Sequence, residues 1–278
     1  MKAEELFRAY SHKIPVSSVP VETKRWTVDG AIKTKDIDSV YYVDPAENKE
    51  NQRFLASIKS SQILMLMGAR ASGKSTRLYR LMSQLAEDGY RCYIVSFEGV
   101  AVDKSTDTFW TTLGRALQRN YSEHGRPKDI KSSDDFLNAF GQNAWKQKIV
   151  IFIDEFDKLF DASDKIRDEC LQTFREIRNN NHLYAIRSIV TCGTFSIQHL
   201  NSVKAHIAPF NVAQSFGNPY FSAQQTQRLF DEFAQNEKTT IDHDVVDAIH
   251  LGTNGHPAMI CLCGRAIADS LQRKSMKQ

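Results

Sequence analysis

The stretch Met65-Leu66-Met67-Gly68-Ala69-Arg70-Ala71-Ser72-Gly73-Lys74-Ser75-Thr76 leaves this chain few ways to fold. An apolar run breaks into G-x-x-x-x-G-K-S and passes straight into a helical pattern, the arrangement of a phosphate-binding P-loop. Its glycines let the backbone turn tightly and aim successive N–H groups at phosphate oxygens. Lys74 supplies a point charge, and the Ser75 hydroxyl is placed to ligate Mg²⁺. Gly68, Ala69, Arg70, Ala71, Ser72, Gly73, Lys74, Ser75 and Thr76 are therefore the expected phosphate contacts, with the positive end of the following helix behind them. The flanks agree. Gln62 to Met67 reads as a buried strand, and Thr76 to Glu87, with Leu78, Leu81, Met82 and Leu85 on one face, as a helix.

A second stretch answers the first. Lys148-Ile149-Val150-Ile151-Phe152-Ile153 is a strand apolar on both faces, and it ends in Asp154-Glu155-Phe156-Asp157. Asp154 fits a Walker B aspartate sharing Mg²⁺ with Ser75. Glu155 stands where a general base polarises water, and Asp157 reads as a solvated turn before the next helix. A further strand, Ala185 to Thr194, is expected beside this one. At its end either Thr191 or Thr194 hydrogen-bonds the γ-phosphate or the water, or the small residues are no more than a turn. Of the two, Thr191 is the candidate catalytic residue. Arg91 to Phe97 and the short Ile207 to Val212, with its edge-tolerant Pro209, complete five strands. Helices are expected over Phe109–Tyr121, Ser133–Gln147 and Asp164–Asn180.

The pattern changes after Ser222. Three helices, Ser222 to Gln235, Asp242 to Leu251 and Pro257 to Arg273, follow with no strand between them, capped by Ser222 and Asp242 and opened by Pro257. The expected organisation is an N-terminal extension over 1–40, an α/β core over 41–217 holding a five-stranded parallel sheet between helices, and an all-helical lid over 218–278. In the extension, a small hairpin around Asp29-Gly30 would pair Trp26 and Val28 with Ile32. Tyr41, Tyr42 and Val43, just ahead of the core, either pack on a base or are ordinary core residues.

Composition excludes several classes. With 41% hydrophobic and 25% charged residues the chain is neither a disordered nor a membrane sequence, and no run nears the ~18 apolar residues of a spanning helix. Met1 to Phe7 lacks the apolar core of a secretory signal, so an intracellular setting, cytoplasmic or nuclear, is expected. Five scattered cysteines read as reduced core residues, and Cys261-Leu262-Cys263 is too tight for the usual metal spacing. A net charge of +3 does not by itself call for nucleic acid.

The P-loop, the Asp154-Glu155 pair and the helical C-terminal region together resemble the ASCE division of P-loop ATPases, and within it the AAA+ and STAND-like families. Gly255-His256-Pro257 is similar to the G-x-P motif of STAND and archaeal-type ATPases. The resemblance implies ATP and Mg²⁺ as cofactors, slow ATP hydrolysis in a molecular switch, and Pro257 near the adenine, facing Tyr42 and Val43. It also implies a homo-oligomer or protein partner able to supply an arginine finger. The arginine such families carry after the fourth strand stands here as Thr191-Cys192-Gly193-Thr194. Two other roles come with the resemblance: a non-catalytic nucleotide-bound module of a larger signalling system, and a DNA-linked role. Guanine is disfavoured because no N-K-x-D motif is present.

Overall fold

The computed structural model describes residues 24–60, 63–119, 129–200 and 214–275. Strands β1 (Ile63–Met67), β2 (Arg91–Ser96), β3 (Ile149–Asp154), β4 (Ile186–Gly193) and β5 (Gln214–Gly217) form one sheet in the order β2-β3-β4-β1-β5. Every pairing is parallel. β4 thus lies between the P-loop strand and the strand ending in Asp154. That order brings the C-terminal ends of β1, β3 and β4 together, where a ligand of such a sheet sits.

All five residues of β1 and the first five of β3 are buried, as expected of strands covered on both faces. Alternation sorts them. Met65, Met67, Ile151 and Ile153 join one core with Trp110, Phe136 and Phe174, while Leu64, Leu66, Val150 and Phe152 join another with Phe54, Leu78 and Leu81. Helices α1 (Lys49–Lys59) and α2 (Lys74–Glu87) cover the second face; α3 (Thr106–Arg119), α4 (Ser133–Ala139) and α5 (Asp164–Asn179) cover the first. Truncating a fully buried ring such as Phe152 costs about 3 to 5 kcal/mol in a core of this kind.

The C-terminal helices α6 (Ala223–Asn236), α7 (His243–Thr253) and α8 (Pro257–Ser275) build a third core of their own. Leu229, Phe230, Phe233 and Ile260 supply it, and Trp26 and Tyr41 from the start of the chain complete it. Trp26 lies 4.6 Å from Tyr41 and 5.2 Å from Phe230, centroid to centroid, and it packs flat against the bare backbone of Gly264, where any Cβ would collide with the indole. The residues before the sheet are therefore a structural part of the helical region. Instead of a hairpin at Asp29-Gly30, Arg25 bridges in parallel to Val40, and a 3-10 turn spans Thr34–Ser39.

Three other expectations change. α4 stops at Ala139 because Trp145 folds back and donates its indole N–H to the Ala139 carbonyl, while the Phe140 carbonyl accepts from Ala185 N. Tertiary hydrogen bonds there override a helical periodicity that runs on to Gln147. The fifth strand expected at Ile207 to Val212 lies outside the described residues, and β5 is formed by Gln214–Gly217. Asp242 occupies its cap position without a side-chain cap bond, whereas Ser222 makes the full capping box with Gln225. Among the described residues no helix is long and apolar enough to cross a membrane.

Candidate functional site

A cavity of about 460 Å³ opens at the C-terminal end of the sheet, between the P-loop, the start of the chain and the C-terminal helices. Its lower half is the loop from Arg70 to Thr76. Ala71 and Gly73 adopt left-handed backbone, φ 55° and 86°, which turns the chain over its own N–H groups. At Gly68 a Cβ would sit 2.9 Å from Ser72 Oγ and 3.0 Å from Asn218 Cβ, so only glycine lets the loop close. Asn218, directly after β5, props the loop from behind, with its backbone N–H on the Met67 carbonyl and its side-chain amide donating to the Ser72 carbonyl, both at 2.6 Å.

The charged groups converge at this end. Lys74, only 7% exposed, donates to the Ala69 carbonyl at 2.8 Å. Ser75 Oγ donates to Asp154 Oδ2 at 2.6 Å, and the other oxygen of Asp154 accepts from the backbone N–H of Glu155 at 3.0 Å. Glu155 itself has φ 50°, a strained value for a side chain with a Cβ, and it lines the cavity. Burial pushes its carboxyl above the usual range, as do the neighbouring charges of Asp154, Asp157 and Glu98, while Lys74 pulls it back. A carboxylate of raised proton affinity beside a lysine is a competent acceptor for a proton from water.

The oxygens of Ser75 and Asp154 are hard donors that suit Mg²⁺, an ion that keeps most of its waters and needs few protein ligands. Among the described residues no group of three or more His, Cys, Asp or Glu is arranged to hold a metal, so an all-protein cage for a softer ion is absent from them.

The upper half is assembled from distant segments. Thr27, Val28 and Gly30 to Ile32 form one wall, Tyr41 to Val43 another, Asn218 to Phe221 a third, and Pro257, Ala258 and Cys261 the roof. Ile32 N donates to Thr76 Oγ1 at 3.1 Å, tying the first wall to the P-loop helix. Tyr42 lines the cavity, and its phenol is pushed up by burial and by Asp44, which also pairs with Arg80 at 2.9 Å. The roof is anchored twice. Phe221 N donates to the Gly255 carbonyl at 2.9 Å, and His256 Nε2 lies 3.1 Å from the Arg70 carbonyl with its ring against Tyr220.

Tyr42, Val43, Pro257, Glu155 and Arg70 to Thr76 thus all face one cavity. Thr191 does not. It is fully buried in β4, its hydroxyl donates to the Leu64 carbonyl at 3.2 Å, and Thr194, three residues on, lines the cavity instead. The strand continues two residues beyond Thr191 before the chain turns, and that register was not legible from small residues alone. Asn218, His256 and the wall from Thr27 to Ile32 were not assigned to the site from sequence, since each acts through tertiary contacts that no local pattern announces. Arg77 is a further case. It is 1% exposed, bonds Asn51 and the Gly217 carbonyl at 3.1 Å each, and burial brings its guanidinium down to about 10. Arg265 lies away from the cavity, 3.9 Å from Asp29 and half exposed.

The parallel sheet, its strand order and the loop closing on Lys74 define a P-loop NTPase fold. The chain belongs to the AAA domain family, whose model matches residues 38–200, and membership implies nucleotide binding. Among solved structures it is similar to the Walker-type ATPase PABY2304 of Pyrococcus abyssi, with a TM-score of 0.65 at 12% identity over 91% of this chain and 78% of that one. It is also similar to the Aeropyrum pernix ORC2 protein, solved as ADPNP-ADP complexes, with a TM-score of 0.55 at 13% identity over 79% of this chain and 61% of that one. Cdc6p from Pyrobaculum aerophilum gives 0.54 at 14% identity over 84% and 65%. By sequence, an uncharacterised WD repeat-containing protein of Synechocystis sp. is 21% identical over 243 residues, 82% of this chain. The chain spans 20% of that protein's length.

Proposed function

We propose that the chain is a Mg²⁺-dependent ATPase that hydrolyses ATP slowly and acts as a switch. The observation that carries this reading is the 2.6 Å hydrogen bond from Ser75 to Asp154, with Lys74, Ser75 and Glu155 lining one cavity. Lys74 and the loop N–H groups hold the β- and γ-phosphates, and Ser75 with Asp154 holds the metal, which when bound neutralises phosphate charge. Glu155 takes a proton as the water oxygen bonds the γ-phosphorus and the bond to the ADP oxygen breaks. The upper half seats the base, with Pro257 of the helical lid facing Tyr42 and Val43. In this reading 41–217 is the core and 218–278 the lid. An arginine finger from a second copy or another protein, worth about 10³ to 10⁵ in rate where such fingers act, would make turnover depend on assembly.

Phosphate release by the wild-type chain and by Glu155→Gln, with Mg²⁺ and with excess EDTA, tests the proposal. Glu155→Gln is expected to lose about 10² or more of the rate while still binding ATP. Equal rates in both chains, or rates indifferent to EDTA, would refute it.

A second reading draws on the WD repeat-containing relative, of which this chain spans one fifth. There the domain is a nucleotide-loaded regulatory module within a larger protein. Retention of ADP through purification, with turnover below ~0.01 s⁻¹, would favour it.

A further inference from the structure

Asp157 does not behave as the solvated turn residue its place in the sequence suggests. Its carboxylate reaches across from the turn after β3 to the end of β4. There Oδ2 accepts from Thr194 twice, from the hydroxyl at 2.8 Å and from the backbone N–H at 3.4 Å. Oδ1 is buried without a hydrogen-bond partner among the described residues, and it lies 3.2 Å from where a Cβ on Gly193 would stand. Gly193 is thus the residue that lets the carboxylate approach the strand. Thr194 lines the cavity together with Glu155.

Counting protons fixes what Thr194 can do. A threonine hydroxyl has one proton and two lone pairs, and an ionised carboxylate has no proton to give. The 2.8 Å contact therefore uses the hydroxyl proton of Thr194. Ser196 Oγ, 2.7 Å from the same oxygen, must then be a donor to it. One lone pair remains. A group in that state can accept from water but has nothing to donate to a phosphate oxygen, which is itself only an acceptor.

We infer that Asp157 is a positioning residue that accepts the hydrogen bond of the Thr194 hydroxyl, leaving the Thr194 oxygen as an acceptor for the attacking water next to Glu155. This rests on the hydrolytic reading above. Thr194 would then steer one water proton while Glu155 receives the other, and nucleotide affinity would owe nothing to either Asp157 or Thr194.

The test is steady-state ATP hydrolysis by Asp157→Ala, Thr194→Val and the double variant, with Lys74→Ala as the blank and circular dichroism to confirm folding. Each single variant is expected to lower kcat by about 10-fold or more with KM for ATP within about 3-fold, and the double variant to be no slower than the slower single, because the pair acts as one unit. Thr194→Ser, which keeps the hydroxyl, and Asp157→Asn, which keeps an acceptor oxygen, should each recover most of the rate. Should Asp157→Ala fail to fold, the Thr194→Val and Thr194→Ser pair carries the same test. An unchanged kcat in Thr194→Val, a KM rise that accounts for the whole loss, or multiplicative losses in the double variant would overturn the inference while leaving hydrolysis intact. Wild-type turnover no higher than the Lys74→Ala blank would overturn both.

Discussion

The two halves of the cavity are built in different ways. The lower half comes from two short, contiguous motifs, 68–76 and 154–155, each placed by the strand it ends. The upper half comes from four segments, around 27–32, 41–43, 218–221 and 257–261, that meet only after the C-terminal helices have packed on Trp26 and Tyr41. Local backbone geometry sets the lower half, whereas the upper half depends on tertiary assembly. The first should therefore tolerate damage to the helices, and the second should not.

The largest expected effect lies at the phosphate end. Lys74→Ala removes a buried charge from the lower half, and ATP turnover should fall by about 10³, with the thermal midpoint little changed. Loss of the fold in this variant would show that Lys74 holds the loop together through its bond to Ala69 rather than serving a ligand.

A smaller effect is expected from Gly255→Ala, aimed at the upper half alone. Gly255 has φ 73°, and an added Cβ would run into the carbonyl oxygen of Phe221, so strain and clash together should cost about 2 to 4 kcal/mol. Urea unfolding followed by the fluorescence of Trp26, which sits in the helical core, should report this loss first. Unchanged stability would mean that the Phe221 to Gly255 link does not fix the roof.

The smallest effect is set by pH. Burial pushes the Cys261 thiol, in the roof, up to about 11, and the Cys92 thiol up to about 12, from an ordinary thiol value of about 9. Both thiols are neutral in the folded and unfolded chain below about pH 9. Above it the unfolded chain gives up protons first, so stability is full below about 9 and falls as pH rises toward 11. Bound nucleotide should slow alkylation of Cys261, which lines the cavity, and leave Cys192 unaffected, since Cys192 is fully buried behind Asp154. Equal protection of the two would contradict the division of the cavity.

The same division explains what could be read from the sequence. The P-loop and the Asp154-Glu155 tip were legible because their chemistry is written in consecutive residues, and the parallel sheet followed from apolar runs joined by helical patterns. The three C-terminal helices were legible from periodicity, and Pro257 from its place at a first helical turn. Tyr42 and Val43 stand far from Pro257 in the chain, and Trp26 on Gly264 and His256 on Arg70 bring them to one space. The place of Thr191 was not legible, since only its pairing with Met65 shows that its hydroxyl is spent on the Leu64 carbonyl. Asp157 and Asn218 were out of reach, because each works through a partner 37 or 146 residues away in the chain.

Calorimetric binding of ATP and of inorganic triphosphate, each with Mg²⁺, to the wild-type chain, Lys74→Ala and Pro257→Asp tests the two-part cavity most directly. Aspartate is tolerated in a first helical turn but sets a charge against an apolar base. The account predicts that Lys74→Ala loses both ligands, while Pro257→Asp weakens ATP by about 10-fold or more and binds triphosphate as the wild type does. Equal losses of ATP and triphosphate in Pro257→Asp, or no loss of either, would contradict it.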